Sequence, residues 1–410
     1  MKDNNLDPYY KKTIPFTYEE KKLLFRVSQD LFSSHIIDYG TQRLLRTLST
    51  EGLNRFGKLL DLGCGYGHIG ITLKSANPKN EVHMIDIDAL ALQYSQQNAD
   101  LNNVTGLKIY GSLGYDNVND KDFDLIVSNI PAKVGEKALS HIILDARYYL
   151  KQTGRVAIVV IDAITKYVTD VLKSNDDVKI LFQKSWSGHT IFHYEFISKD
   201  KSTKLKGTGF SRGIYDRTES KFSFNKETLS LKTTYNLPEF DTLSFDTKLL
   251  LDNLYFIKKD EIHNVMVINP RQGYIPIALS RLKQIEKIIL VDRNLQSLEV
   301  SRRNLILNGF SRENVLLSHQ VGILLKDERH VNSIVGLVPE KQDNKVYEMF
   351  ISQSAKQLKP DGVIILCSSS NVIFKMGRIT HSTKSFSILK NVRSKGKRVI
   401  IARIINNNDI

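Results

Sequence analysis

Apolar side chains recur in this chain in two rhythms that alternate from end to end. Short, largely unbroken runs at 58–62, 82–86, 123–128 and 155–161 have strand length and are rich in Val, Ile and Leu, as expected of strands buried on both faces. Between them, apolar positions fall three and four apart, as at Leu44, Leu45 and Leu48, and so share one helical face. The pattern predicts an extended or hairpin entry over 9–30 and a helix from Thr41. Strands are predicted at 58–62, 82–86, 107–110, 123–128, 155–161, 178–183 and 190–197. Helices are predicted from Gly67, over 89–101 with Asp88 as N-cap, over 136–150 and over 163–173. Alternating strands and helices imply an α/β fold with a mostly parallel seven-stranded sheet flanked by helices.

The second half repeats this plan. An offset of 206 carries Phe16 to Phe222, Leu23 to Leu229, Thr41 to Thr247, Gly67 to Gly273, Asp86 to Asp292 and Asn98 to Asn304. After a two-residue slip, 208 carries Pro131 to Pro339, Gly154 to Gly362 and Gly188 to Gly396. A duplication is the reading, with one domain over 1–198, a second over 219–410, and a Lys-, Ser- and Gly-containing linker over 199–218. A length of 410 residues suits two cores better than one.

Charge distinguishes the copies. Residues 1–198 hold 23 Lys and Arg against 23 Asp and Glu; subtraction from totals of 58 and 44 leaves 35 against 21 for the rest. The whole net charge of +14 therefore belongs to the second half. From Gly362 to Asn408 there are basic residues and no acid, among them Lys375, Arg378, Lys395, Lys397 and Arg398. A surface so biased points to a polyanion, most often nucleic acid. No apolar run is long enough to span a bilayer, and the N-terminus lacks a signal-peptide core. Two cysteines, Cys64 and Cys367, make neither a metal spacing nor a disulfide framework. A cytoplasmic protein without a metal is expected, active as a monomer whose two copies form an intramolecular pseudo-dimer.

Candidate chemistry centres on Asp61-Leu-Gly63-Cys-Gly65-Tyr-Gly67, a strand end, a tight glycine loop and a helix start. Free amides at the helix start favour a polar or anionic ligand end. The next strand ends at Asp86, placed to accept hydrogen bonds from both hydroxyls of a ribose. The alternative is a glycine turn that only seats helix on sheet, with Asp86 a solvated strand end. The segment resembles motif I of class I S-adenosylmethionine-dependent methyltransferases. That resemblance implies that Asp61 reaches the methionine amino group, through water, and that Asp86 holds the ribose. Gly111-Ser112-Leu113 lacks the acid or amide usual in such enzymes, which leaves the adenine to the Ser112 side chain or local backbone.

A second motif, Asn129-Ile130-Pro131-Ala132, ends the strand from 123. An Asn carbonyl at that edge can accept from an amino group and orient its lone pair; an Asn-x-Pro strand stop is the plainer alternative. Together with Phe32-Ser-Ser-His-Ile-Ile-Asp38-Tyr-Gly40-Thr41, these motifs resemble the "methyltransferase small" domain, which includes ribosomal RNA guanine-N2 methyltransferases. The resemblance covers residues 10–197. It implies two tandem Rossmann-like domains, S-adenosylmethionine as cofactor, Asn129 and Pro131 facing the accepting amine, and Asp38 and Thr41 at the pocket's side. Some relatives are also duplications in which a degenerate half is held to help bind RNA; there it comes first, whereas here it is second. Where the family tetrapeptide is Asn-Pro-Pro-Phe/Tyr, this chain has Ile130 and Ala132. In the second copy Asp61, Gly63 and Gly65 become Val267, Asn269 and Arg271, and a dead pocket is expected. Other readings are a methyltransferase of small molecules or protein side chains, and a non-enzymatic RNA-binding protein. His189 and His193, four apart on one strand face, are either flanking site residues or core.

Overall fold

The computed structural model describes residues 7–198, 207–255, 263–282, 284–325 and 330–405. Its contacts divide the chain into one unit over Tyr9–Tyr215 and a second from Asp216 on. Of the expected linker, residues 199–206 lie outside the described residues, 207–215 belong to the first unit, and 216–218 already form part of a strand.

In the first unit a hairpin of β1 (Tyr10–Tyr18) and β2 (Lys21–Ser28) precedes α1 (Tyr39–Thr50) and β3 (Lys58–Leu62). Then come α2 (His68–Ala76), β4 (Glu81–Asp86), α3 (Ala89–Leu101), β5 (Leu107–Gly111), β6 (Phe123–Asn129) and α4 (Glu136–Leu144). β7 (Leu150–Ile161), α5 (Asp162–Lys173), β8 (Val178–Trp186) and β9 (His189–Phe196) complete it. The seven-stranded sheet has the order β5-β4-β3-β6-β7-β9-β8. All pairings are parallel except those of β9 with β7 and β8. After β5 the chain crosses to the other side of β3, so the strand order reverses between β3 and β6. Open sheets bind ligands in the crevice such a reversal leaves at the strands' carboxyl ends.

Local sequence explains the boundaries. Asp38 caps α1 by accepting from the Thr41 amide, and Asp88 caps α3 through the Leu90 amide, as the helix-start signals predict. Helix α4 stops at Leu144, six residues before its predicted end. The Asp145 carboxylate is held by His141 at 2.6 Å and by Arg212 at 2.6 Å. The chain from Asp145 to Tyr148 tightens into a 3-10 turn, and Tyr149 stacks on Tyr115 with ring centres 4.6 Å apart.

The second unit runs β10 (Asp216–Phe224), β11 (Glu227–Thr234), α6 (Phe245–Leu251), β12 (Asn264–Ile268), α7 (Tyr274–Leu279), β13 (Lys287–Asp292) and α8 (Leu295–Leu307). It continues through β14 (Val315–His319), β15 (Val331–Leu337), α9 (Asn344–Gln357), β16 (Leu358–Ser369), α10 (Ser370–Thr383), β17 (Phe386–Ser394) and β18 (Lys397–Ile404). Its sheet order, β14-β13-β12-β15-β16-β18-β17, repeats the first. The slip in register lies between α3 and β5, where 102–106 in one copy faces 308–314 in the other. A shared wiring anchors both entry hairpins. Asn98 exchanges hydrogen bonds with the Arg26 backbone and donates to Tyr66 O. Asn304 does the same with Lys232 and Gln272.

Candidate functional site

The carboxyl ends of β3, β4 and β6 carry Asp61, Asp86 and Asn129 to one edge of the first sheet. The loop leaving β3 passes through φ of +77° at Gly63, +56° at Gly65 and +89° at Gly67, a region that side chains disfavour. The glycines differ in what surrounds them. A Cβ on Gly63 or Gly65 would meet nothing within 4 Å, whereas one on Gly67 would lie 2.6 Å from Ile71 and 2.8 Å from Met84. Gly67 is a packing glycine; Gly63 and Gly65 leave one face of the loop clear.

Five amides of this loop and helix start are committed to acceptors within the unit. Gly63 and Cys64 N–H donate to Ile85 O, and Gly67 N–H to Cys64 O, each at 2.9 Å. Gly65 N–H donates to Asp86 at 2.9 Å and Gly70 N–H to Asp61 at 2.8 Å. A cation would find much, because Asp61 is fully buried and its Oδ1 has no hydrogen-bond partner among the described residues. Burial raises its carboxyl from 3.8 to about 7, with the Gly70 amide opposing and Asp86 adding to the rise. Burial likewise raises Asp86 to about 6, opposed by the Asp88 and Gly65 amides. Two acids beside one loop, Asp61 buried with an unmatched oxygen and Asp86 half-buried, suit a ligand that brings a positive charge and hydroxyl donors.

Asn129 is held by its amide nitrogen. Nδ2 donates to Asp38 Oδ2 at 3.0 Å and to Thr41 Oγ1 at 2.9 Å. Asp38 Oδ2 also accepts from the Thr41 amide at 2.9 Å. With a carboxylate on one side, that end of the side chain must be the nitrogen, so the carbonyl Oδ1 is turned away from Asp38. Thr41, expected beside the cofactor, is placed instead against Asn129. His189 Nε2 lies 3.7 Å from the other Asp38 oxygen. Its ring sits where a Cβ on Gly40 would be, 2.6 Å away. His193, by contrast, is core: buried beside Phe182, it meets Thr47 Oγ1 at 3.0 Å, and burial lowers it to about 4.

The other expected residues are placed as follows. Pro131 is exposed and Ala132 half-buried. Ile130 faces the core at 2 % exposure, so the departure from the family tetrapeptide there lies away from the crevice. Ser112 is buried and its hydroxyl is engaged, donating to Gly114 O at 2.7 Å and accepting from Asn117 N–H at 3.1 Å. Only backbone remains at this position for an adenine. In the Phe32–Thr41 stretch, the sequence did not show that three apolar residues flanking Asp38 are exposed: Phe32 at 72 %, Ile36 at 53 % and Tyr39 at 60 %. Their signal was large apolar residues placed before the first predicted helix, at Thr41.

The second copy keeps the loop's backbone and fills its space. Asn269 and Arg271 hold φ of +47° and +53°, matching Gly63 and Gly65. The Arg271 guanidinium pairs with Glu239 at 3.1 Å and Asp246 at 3.5 Å, and Val267 stands where Asp61 would. Among the basic residues, Lys375 and Arg378 lie on α10, with Arg378 exposed. Lys395 is exposed at the β17–β18 turn, 5.4 Å from the Phe245 ring. Arg398 is half-buried. Lys397 departs from expectation: it is paired with Glu340 at 2.6 Å and Asp246 at 3.8 Å, so its charge is neutralised internally. At the opposite edge of the first sheet, ligating atoms of Glu81, His83 and Asp120 lie within 4.8 Å of one another. Lys108 reaches both carboxylates, at 2.7 and 2.9 Å, and supplies the cation there.

A doubly wound sheet with a clear-faced glycine loop and acids ending β3 and β4 defines a Rossmann-like methyltransferase fold. The methyltransferase small domain family matches residues 22–184 and 234–400, and the chain belongs to that family, in two tandem copies. An uncharacterized protein of Bacillus subtilis, YbxB, is 33 % identical over 151 residues, 37 % of this chain and 74 % of that protein. Ribosomal RNA small subunit methyltransferase C of Haemophilus influenzae is 34 % identical over 157 residues, 37 % of this chain and 46 % of its own. The Pasteurella multocida protein of that name is 40 % identical over 133 residues, covering 32 % and 39 %. The chain thus spans less than half the length of these two named relatives. A T. thermophilus 16S rRNA N2 G1207 methyltransferase, solved with AdoMet and guanosine, superposes with a TM-score of 0.68 over 97 % of this chain and 99 % of that one, at 16 % identity. The two share a fold.

Proposed function

We propose that this chain methylates an exocyclic amine of an RNA base, guanine N2 of ribosomal RNA, using S-adenosylmethionine. The observation that carries the reading is the pairing of an unpartnered, buried Asp61 oxygen with an Asn129 whose amide is pinned so that its carbonyl is available. Asp61 accepts from the ammonium of the methionine end, Gly63 and Gly65 leave the approach clear, and Asp86 accepts from the ribose hydroxyls. Bound there, S-adenosylmethionine supplies a sulfonium methyl as electrophile. Asn129 Oδ1 accepts an N–H of the acceptor amine and so turns its lone pair toward the reacting centre, while Asp38 and Thr41 fix the Asn129 rotamer. This is catalysis by orientation; the methyl's bond to sulfur breaks with its pair returning to sulfur, and the proton the amine sheds passes to solvent. Pro131 and the exposed Phe32 and Tyr39 offer surfaces for the base. The second unit, with its loop filled by Arg271, binds no cofactor and holds RNA through Lys375, Arg378, Lys395 and Arg398. The protein acts as a cytoplasmic monomer.

Incubation with labelled cofactor and small-subunit RNA, free or assembled, followed by nucleoside mass spectrometry, tests this. N2-methylguanosine is expected in the wild type and absent in Asn129→Ala. Transfer to protein or small molecules with none to RNA would refute it.

A further inference from the structure

Residues 208–215 lie between the two family matches, yet they are fastened to the first unit at the very edge that carries the site. Asp116 accepts from the Gly209 amide at 2.5 Å and the Phe210 amide at 2.9 Å. Arg212 pairs with Asp145 at 2.6 Å, and the Tyr215 hydroxyl donates to Leu113 O at 3.0 Å. The seat is tight: a Cβ on Gly209 would come within 3.0 Å of Asp116, and one on Gly114 within 2.6 Å of the Tyr215 hydroxyl. Phe210, Ile214 and Tyr215 join Leu113, Ala138, Ile87 and Val134 in one apolar cluster. Ile87 directly follows Asp86, and Leu113 follows Ser112, whose amide donates to Asp86 O at 3.0 Å. Val134 lies on the loop after β6. The cluster therefore stands at the carboxyl ends of β4, β5 and β6, beside Asp86. Ile87, Val134, Phe210 and Ile214 remain only half-buried. A half-open apolar surface next to a carboxylate is complementary to a purine joined to a ribose, the ring covering the one and the hydroxyls reaching the other.

We propose that residues 208–215 form a strap that supplies the outer apolar wall of the adenine end of the cofactor pocket. It rests on the cofactor reading of Asp61 and Asp86. Because the strap contacts the bound nucleoside, ligand and strap stabilise each other, and the coupling is reciprocal. The next residue, Asp216, opens the second unit, so the wall is also the piece of chain from which that unit begins.

The test uses the full chain, titrated calorimetrically with S-adenosylmethionine and S-adenosylhomocysteine, with hydrogen exchange followed over 208–215. Phe210→Ser and Asp116→Ala should each weaken both ligands by about tenfold or more, the order expected for losing an aromatic contact. Phe210→Leu should restore most of the affinity. Amide exchange across the strap should slow several-fold when ligand is added to the wild type, a readout that needs no variant to fold. Wild-type binding with unchanged affinity in folded variants, or unchanged strap exchange on saturation, would overturn the strap while leaving the pocket in place. A wild type that binds neither ligand would overturn the pocket itself, and the strap with it.

Discussion

Replacing Asp61 by asparagine separates what the first unit needs to fold from what it needs to bind. Burial holds this carboxyl at about 7 instead of 3.8. At about 1.4 kcal/mol per unit, ionising it in the empty pocket costs the fold on the order of 4 kcal/mol. The sign follows from proton counts. Between pH 4 and 7 the unfolded chain has lost this proton while the folded one keeps it, so stability falls as pH rises and levels off beyond 7. Asparagine can still accept from the Gly70 amide but carries no charge. The variant should match the wild type near pH 4 and exceed it by a few kcal/mol at pH 8. Urea titrations at several pH values measure this, and the single tryptophan, Trp186, lies in β8, so its fluorescence reports the first unit. The same variant should lose cofactor affinity. In the wild type, affinity for the cationic cofactor should rise with pH up to about 7, with proton release detectable in buffers of different ionisation enthalpy. If Asp61→Asn is the less stable protein at pH 8, or if the gap between the two does not change with pH, burial does not destabilise this carboxylate.

Four further outcomes are expected. Asp38→Ala should lower kcat by about tenfold to a hundredfold by freeing the Asn129 amide, the scale of a misplaced orienting group, while calorimetry finds cofactor affinity unchanged. Gly67→Ala should destabilise by roughly 1–3 kcal/mol through overpacking against Ile71 and Met84. Gly65→Ala, costing about 1 kcal/mol in backbone strain, should fold and fail to bind cofactor, as thermal unfolding with and without ligand will show. Arg378→Ala and Lys395→Ala should each flatten the slope of log affinity for RNA against log salt by about 0.7–0.9, whereas Lys397→Ala should leave the slope unchanged and lower the melting temperature.

The two-copy architecture was legible because a duplicated rhythm needs no side-chain detail: a fixed offset between Phe16 and Phe222, or Gly67 and Gly273, is visible in the order of letters. Asp61, Asp86 and Asn129 were likewise readable from their positions at strand ends. What the letters concealed is where each polar atom is spent. Ser112 looked available and is consumed by its own turn, and Thr41 serves Asn129. Lys397, counted with the exposed cations, meets Glu340 from 57 residues away. The difference between Gly65 and Gly67 is one of surroundings supplied by Met84 and Ile71. The strap was hidden because Lys-Ser-Gly composition reads as flexible connection, and only Asp116, Leu113 and Asp145 make part of it a fixed element.

The arginine that plugs the second loop has an evolutionary corollary. Arg271 sits in a left-handed conformation worth about 1–2 kcal/mol of strain for a side chain, so glycine there would relax the backbone. Yet that guanidinium pairs with Glu239, whose carboxylate also accepts from the Ser244 and Thr247 hydroxyls, and with Asp246, so its removal would take a cation from a cluster of two acids. Reversion of the one position therefore trades relief of backbone strain against the loss of these ion pairs. Relieving Arg271 would still not reopen the cradle, because Val267 and Asn269 stand where the first copy has Asp61 and Gly63; the duplicated half lies several substitutions away from a working loop.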